Sequence, residues 1–250
     1  MTPFVIKNKS NSLTLNILNN LNRIKSVGLT LSILCIIFSF QSRAQAQYLV
    51  PNPTLNKAIF TECVIHTGVN LWRNDKLNQS RIDGNTWTVG LIDNHAKTQY
   101  NGSMAHLSDG LALGTAFASG LLTFALPQNQ QSQYVQLAVQ NVWITANITQ
   151  SVKMLSLRNR PYTQAAGFVS TKNDDHFSFF SGHSAITATA ATTAILMAIN
   201  QQNMSNWGKV ATYSAGGLAL TTASLRIAAG KHYPSDVVTG ILVGVARSEE

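Results

Sequence analysis

The chain has 250 residues, of which 18 are Lys or Arg and 10 are Asp or Glu, giving a formal net charge of +8. Charged residues make up only 11% and hydrophobic residues 45%, which argues against intrinsic disorder, and two cysteines are too few for a disulfide scaffold. A chain of this length forms one domain of ordinary size, or two small ones.

The charge is concentrated at the start of the chain. Residues 1–46 contain five basic residues and no acidic one, and an apolar run from Val27 to Phe40 precedes the sequence Ala44-Gln45-Ala46. This order is typical of a bacterial secretory signal that is cut between Ala46 and Gln47. We therefore predict an exported, periplasmic protein, with an uncleaved signal anchor as the alternative.

The remaining residues, 47–250, carry 13 basic and 10 acidic residues and no basic stripe, so we expect no nucleic-acid partner. Cys35 leaves with the predicted signal, and Cys63 alone cannot form an intrachain disulfide. Cys63 and His66 have the spacing of metal ligands, but no second pair accompanies them. We interpret Cys63 as a packed helix residue and expect no metal or other cofactor.

Apolar spacing predicts a first helix over 54–69, whereas 73–105 is polar, contains turn signals and is expected to be a loop with at most one short hairpin. No charged residue occurs from 110 to 152. Further helices are predicted at 110–126, 134–157, 183–199, 208–229 and 234–247.

The predicted fold is therefore an all-α bundle of about six helices. It divides into a signal peptide (1–46), an N-terminal helix with a polar loop extension (47–108) and a helical domain (109–250). Only 110–126 approaches the about 20 apolar residues that span a bilayer. We expect a globular periplasmic domain, with membrane association as the alternative.

Three patches concentrate groups that bind or transfer phosphate. In the first, Lys153 and Arg160 are seven residues apart, which places them on one helical face, and Pro161 ends the helix just after Arg160. Two cations on the inward face of an otherwise uncharged helix need an anion as partner. A pair of surface cations at a helix end is the alternative.

The second patch is Ser181-Gly182-His183, directly before an apolar helix. Ser181 is a candidate N-cap, and the free backbone N–H groups of Gly182 and His183 would point out of the helix N-terminus, where an anion binds readily. A plain capped helix is the alternative.

The third patch contains Arg226, His232 and Asp236. Pro234 suits the first turn of a helix, so Asp236 lies in that turn and can accept a hydrogen bond from one imidazole nitrogen of His232. The other nitrogen is then free to attack, and the guanidinium of Arg226 suits phosphate oxygens. A surface histidine with a helix-capping aspartate is the alternative.

The order Lys-x6-Arg-Pro, Ser-Gly-His and Arg-x5-His-x3-Asp resembles the three-part signature of the type 2 phosphatidic acid phosphatase (PAP2) superfamily. That superfamily includes class A acid phosphatases and vanadium haloperoxidases, and the resemblance covers about 150–245. Two departures concern loop geometry. The family usually has Pro where this chain has Phe180, and Ser directly before the arginine where this chain has Leu225.

The resemblance implies that His232 is the nucleophile, that Asp236 orients it, and that His183 protonates the leaving group and then activates water. It also implies that Lys153, Arg160 and Arg226, with Ser181 and Gly182, hold the phosphoryl group, and that no metal is required. Vanadate is expected to bind as a phosphate mimic.

The expected substrate is a phosphomonoester or diphosphate, either a soluble molecule or a lipid such as phosphatidic acid or a prenyl diphosphate. Two alternatives remain, a vanadate-dependent haloperoxidase and a non-catalytic protein that binds phosphate or a lipid head group. The mature chain of 204 residues is short for a haloperoxidase, and the presence of both His183 and His232 argues against a binding protein.

Overall fold

The structure, a computed structural model, describes residues 53–78, 84–96, 98–201 and 204–248. The predicted signal peptide lies outside these residues. Six α-helices occur in the described part of the chain. They are α1 (Pro53–Asn78), α2 (Gly102–Leu121), α3 (Gln128–Ser156), α4 (Gly182–Ile199), α5 (Asn206–Ala228) and α6 (Pro234–Ser248). The predicted all-α bundle of about six helices is confirmed for these residues.

Helix α4 is the centre of the bundle, and α2, α3, α5 and α6 all pack against it. Its sequence consists largely of Ala and Thr, which are small enough for close helix contacts on nearly every face. The tightest approach is by α6: a Cβ at Gly240 would lie 2.6 Å from the Ser181 carbonyl oxygen, and one at Gly244 would collide with the Ala185 carbonyl. Glycines in α6 therefore allow its first turn to reach the N-terminus of α4.

Helix α1 packs along α3. Cys63 is buried in a cluster with Ile59 and Ile144, which confirms that it is a packed helix residue. Polar contacts join the same two helices, including a 2.6 Å contact between His66 Nε2 and Ser151 Oγ.

Helix α1 continues to Asn78, so the prediction that the loop begins at 73 is wrong. The physical reason is that Leu77 is buried against Met154 and Phe177, which extends the apolar face of α1 by two turns. The rest of the predicted loop contains a 3₁₀ helix, Gly90–His95. Its described residues form no hairpin; Asn85 instead makes an isolated parallel bridge with Arg158.

Helix α2 begins at Gly102, so the domain boundary predicted at 109 falls inside a helix. The helix starts early because the Asn101 side chain accepts a hydrogen bond from the backbone N–H of Met104, at 3.1 Å, and caps it. A short 3₁₀ helix, Leu122–Ala125, follows.

Two helical stretches among the described residues are long and apolar enough to cross a membrane, Gly102–Ala125 and Gly182–Ile199. The second is mostly buried within the bundle, as the core helix of a soluble protein would be. The first exposes large apolar side chains on its outer face. These are Leu107, Leu113, Phe117, Leu121 and Phe124.

Candidate active site

The first patch does not form one continuous helix. Helix α3 ends at Ser156, and Leu157 adopts a left-handed conformation with φ of 46°. The prediction that Lys153 and Arg160 share a helical face is therefore wrong. The chain leaves the helix four residues before Arg160 and is extended there, as expected for a residue before proline. The extended segment carries Arg160 back toward Lys153.

Arg160 is buried, and its guanidinium contacts three residues, Asp174, Lys231 and His232. Its Nε donates to the Asp174 carbonyl at 2.7 Å and its Nη2 to the Asp174 carboxylate at 2.7 Å. Its Nη1 donates to the Lys231 carbonyl at 3.1 Å and lies 3.3 Å from His232 Nε2. Arg160 therefore brings the first patch into contact with the third.

The segment 173–176 is part of this framework. It forms a short 3₁₀ helix in which Asp175 is buried and accepts a hydrogen bond from the Tyr162 hydroxyl at 2.6 Å. Asp174 is half exposed and pairs with Arg160. The available sequence signal was the pair Asp174-Asp175, which lies between the first two patches.

The second patch forms the N-terminus of α4. Ser181 is the N-cap, and its hydroxyl oxygen accepts a hydrogen bond from the Ser184 backbone N–H, which confirms the predicted cap. Lys153 Nζ lies 3.6 Å from the position that a Cβ of Gly182 would occupy. The absence of a side chain at Gly182 therefore lets the lysine ammonium approach the positive end of the α4 dipole.

The third patch packs His232 at the centre of the site. His232 is fully buried, and its Nδ1 lies 2.8 Å from the Ser178 carbonyl oxygen. The Asp236 carboxylate is farther from Nδ1, at 3.6 Å, because its Oδ2 accepts from the Ser178 hydroxyl and the Tyr233 backbone N–H. The direct hydrogen bond predicted between Asp236 and His232 is thus replaced by one from His232 to the Ser178 carbonyl. Asp236 accepts a hydrogen bond from the hydroxyl of the same serine and so helps to position it.

This arrangement decides which imidazole nitrogen carries the proton. A carbonyl oxygen can only accept a hydrogen bond, so Nδ1 carries the proton and donates a hydrogen bond to the Ser178 carbonyl. The lone pair is therefore on Nε2. Nε2 faces the guanidinium of Arg160. The patches are also joined by the Ser181 backbone N–H, which donates to the Asp236 carbonyl at 3.0 Å.

Arg226 and His183 meet at a carboxylate of α2. Asp109 Oδ1 lies 2.7 Å from Arg226 Nη1 and 2.9 Å from His183 Nε2. Arg226 is buried and also donates to the Ser108 hydroxyl at 2.9 Å, whereas His183 is 33% exposed. Asp109 is the last charged residue before the uncharged stretch from 110 to 152, a position that could have marked it as a site residue.

The charges of the three patches act on one another. Burial, followed by repulsion from Arg160, lowers the pKa of Lys153 to about 7. Burial, followed by the positive charges of Arg160 and Arg226, lowers the pKa of His232 well below its ordinary value. At neutral pH His232 is therefore uncharged, and the cations around it favour an anion.

The structure thus brings all eight predicted site residues together at one end of the bundle. It adds further side chains that the sequence interpretation missed. These are Asp93, Asp109, Arg158, Asp174 and Ser178. Within the described ranges, no group of three or more His, Cys, Asp and Glu side chains is placed to hold a metal ion.

The described residues form an all-α bundle that gathers three cations, two imidazoles and a helix N-terminus at one end, an arrangement whose chemistry suits an oxyanion. The family comparison is more specific: residues 135–248 match the family model of the PAP2 superfamily. These residues carry all three patches, so the family model confirms, over this part of the chain, the resemblance found in the sequence.

A solved structure described as the first transmembrane PAP2 type phosphatidylglycerolphosphate phosphatase, from Bacillus subtilis, is similar at 16% sequence identity with a TM-score of 0.39. The match covers 88% of this chain and 92% of that one. No curated protein sequence matches the chain.

Proposed function

We propose that the protein is a phosphatase that releases phosphate from a lipid phosphate ester through a phosphohistidine intermediate on His232. The observation that supports this proposal is the environment of the His232 ring. Its Nδ1 donates to the Ser178 carbonyl, and its Nε2 faces the guanidinium of Arg160. An unprotonated nitrogen beside a buried cation is what attack on a phosphoryl group requires.

In the first step, Nε2 of His232 attacks phosphorus and the bond from phosphorus to the alcohol oxygen breaks. His183 in its protonated form donates a proton to the departing alkoxide. Burial, followed by the charge of Arg226, lowers the pKa of His183 to about 3, and the carboxylate of Asp109 opposes that shift and favours the protonated form. In the second step, His183 removes a proton from water, the water oxygen attacks phosphorus, and the bond between phosphorus and nitrogen breaks. Inorganic phosphate leaves, and both imidazoles return to their starting states.

Lys153, Arg160 and Arg226 would bind the three non-bridging phosphoryl oxygens, with the backbone N–H of Gly182 at the N-terminus of α4 as a further donor. The carboxylates of Asp109 and Asp174 pair with Arg226 and Arg160. Phosphate would compete with these two carboxylates for the cations. Between turnovers the carboxylates would keep Arg226 and Arg160 paired.

A lipid substrate is favoured by an apolar crevice of about 620 Å³ between α2 and α3, lined by residues such as Phe117, Val139 and Trp143. In each of three helices, one residue that lines the crevice lies seven residues along the chain from a site residue. Ala116 follows Asp109 in α2, Ala146 precedes Lys153 in α3, and Ala190 follows His183 in α4. Seven helical residues span about 10 Å, so an acyl or prenyl chain entering the crevice would leave its phosphate at the site.

Three of the exposed apolar side chains named above, Phe117, Leu121 and Phe124, also line this crevice, and we propose that the exposed apolar face of α2 contacts a membrane. With the predicted export signal, the site would then face the periplasm. Cell fractionation with a carbonate wash tests this placement. Recovery of all the protein in the soluble fraction would contradict it.

The activity itself is tested by phosphate release from a lipid phosphate and from a generic phosphomonoester, with chelator present. We expect turnover by the purified protein, loss of turnover in His232→Ala, and retained turnover in His106→Ala, which removes an exposed imidazole of α2. Acid-labile phosphate on the wild-type protein alone would identify the intermediate. Turnover that survives His232→Ala would overturn the mechanism, and phosphate binding without turnover would indicate a binding protein.

A further inference from the structure

Arg158 is a fully buried arginine to which the proposed chemistry assigns no role. Its guanidinium is sandwiched between two aromatic rings, with Cζ 3.9 Å from the centroid of Trp87 and 4.0 Å from that of Tyr233. Its Nε donates to the Trp87 carbonyl at 3.0 Å. A cation removed from water in this way is stable only with anionic partners.

Two buried carboxylates supply those partners. Arg158 Nη2 donates to Asp93 Oδ2 at 2.7 Å, and Nη1 donates to Asp236 Oδ1. Ser235 links the same groups, because its hydroxyl accepts from Arg158 Nη1 at 2.9 Å and donates to Asp93 Oδ2 at 2.9 Å. The Ser235 backbone N–H also donates to Asp93 Oδ1 at 3.0 Å. Arg158 therefore joins Asp93 to the first turn of α6.

The other oxygen of Asp236 continues the chain of contacts. Asp236 Oδ2 accepts from the Ser178 hydroxyl at 2.6 Å, and the carbonyl of that serine accepts from His232 Nδ1 at 2.8 Å. Ser178 therefore accepts a hydrogen bond from the imidazole and donates one to Asp236. Asp236 accepts from Arg158, which also donates to Asp93.

We propose that Asp93 is a positioning residue for His232, acting through Arg158, Asp236 and Ser178. Asp93 lies in the 3₁₀ helix Gly90–His95, outside the residues that match the family model. The segment 84–96 is then a working part of the active site, required for the rate of phosphoryl transfer and not for binding of the anion. The inference rests on the proposed function of His232.

The test is Asp93→Asn, which keeps the shape of the side chain and removes its charge. We expect kcat per folded active site to fall about 10- to 100-fold. The inhibition constant of inorganic phosphate should stay within about twofold, because the carboxylate partners of Arg160 and Arg226 are Asp174 and Asp109, which the substitution leaves in place. Asp75→Asn, which removes an exposed charge from α1, is the control and should match the wild type.

A second readout does not depend on turnover. The side-chain ¹⁵N spectrum of His232, assigned by difference with His232→Ala, reports whether Nδ1 holds its proton. We expect a protonated Nδ1 in the wild type and a weakened or exchanging Nδ1–H signal in Asp93→Asn. If the wild type turns over no phosphoester, the proposed function fails, and this spectrum still decides whether Asp93 positions the ring.

A merely structural role would lower the melting temperature and the yield of folded protein while leaving kcat per folded site and the Nδ1–H signal unchanged. That result would overturn the proposal. If Asp93→Asn does not fold, Arg158→Lys takes its place, because it keeps the charge and removes the forked guanidinium that contacts both Asp93 and Asp236. An unchanged kcat and an unchanged spectrum in that variant would overturn the proposal equally.

Discussion

Nε2 of His183 lies 2.9 Å from Oδ1 of Asp109, so the second patch of the sequence is completed by a carboxylate from a helix more than seventy residues earlier. The same oxygen lies 2.7 Å from Arg226 Nη1. Asp109 therefore contacts both the proposed general acid and one of the proposed phosphate-binding cations. The first contact would favour proton transfer by His183, whereas the second would compete with phosphate for Arg226.

Replacing Asp109 with Asn should separate these two consequences. The imidazolium of His183 loses a stabilising charge, so we expect kcat to fall about 10- to 100-fold. A negative charge also leaves the vicinity of Arg226, so inorganic phosphate should bind more tightly. Steady-state kinetics with phosphate as inhibitor measures both effects.

Because the Asp109 side chain is 51% exposed, its ion pairs contribute little to folding, and Tm should be nearly unchanged in Asp109→Asn. Asp75→Asn again serves as the control for loss of one negative charge. An unchanged kcat, or weaker binding of phosphate, would contradict the assignment.

Anion binding should depend on the protonation of Lys153, whose pKa is lowered to about 7 by burial and by Arg160. The charged form dominates below that pKa and is lost as the pH rises through it, so affinity for an oxyanion should decline above neutral pH. Sulfate is a suitable probe because its own charge is constant over this range. Titration calorimetry between about pH 6 and pH 9 measures the decline.

Lys153→Arg is the matched variant for this titration, because a guanidinium stays protonated throughout. We expect its sulfate affinity to vary less with pH than that of the wild type. Identical pH dependence in the two proteins would show that another group controls binding.

The crevice between α2 and α3 can be tested by filling it. Ala146→Phe places a ring in the part of the crevice nearest Lys153 and should raise KM for a long-chain lipid phosphate about tenfold or more. Turnover of a short soluble phosphomonoester should be unaffected. Ala211→Phe, at an exposed position of α5, controls for the added ring. Equal effects on the long and the short substrate would contradict a lipid-chain site.

Gly244→Ala should destabilise the fold, since its Cβ would collide with the Ala185 carbonyl and force α6 away from α4. We expect a loss of about 1–3 kcal/mol in the free energy of unfolding. Gly217→Ala is the matched control, because no heavy atom lies within 4 Å of its Cβ position in α5. A helical alanine there should stabilise by about 0.5–1 kcal/mol. Chemical denaturation measures both, and an undiminished stability of Gly244→Ala would refute the close-packing argument.

Much of the fold could be predicted because its signals are local. Ser181 precedes a helix of small residues and caps it, and Pro234 begins the helix that follows His232, as predicted. The helix predicted over 134–157 ends within one residue of α3, but its face was also predicted to extend to Arg160. That extension is wrong because Leu157 is left-handed and Arg158 pairs with Asn85.

The eight predicted site residues could be named from the sequence because three motifs occur in an order that resembles the PAP2 signature, and their cations, imidazoles and backbone donors suit phosphate. The sequence by itself therefore determined which residues we predict for the site. Only the tertiary structure decided what holds them. Asp109, Asp93 and Ser178 act through contacts across 54 to 142 residues of chain, and no local pattern encodes such distant pairings. A buried charge or imidazole is satisfied by whatever partner packing brings to it, and that partner exists only once the helices have assembled.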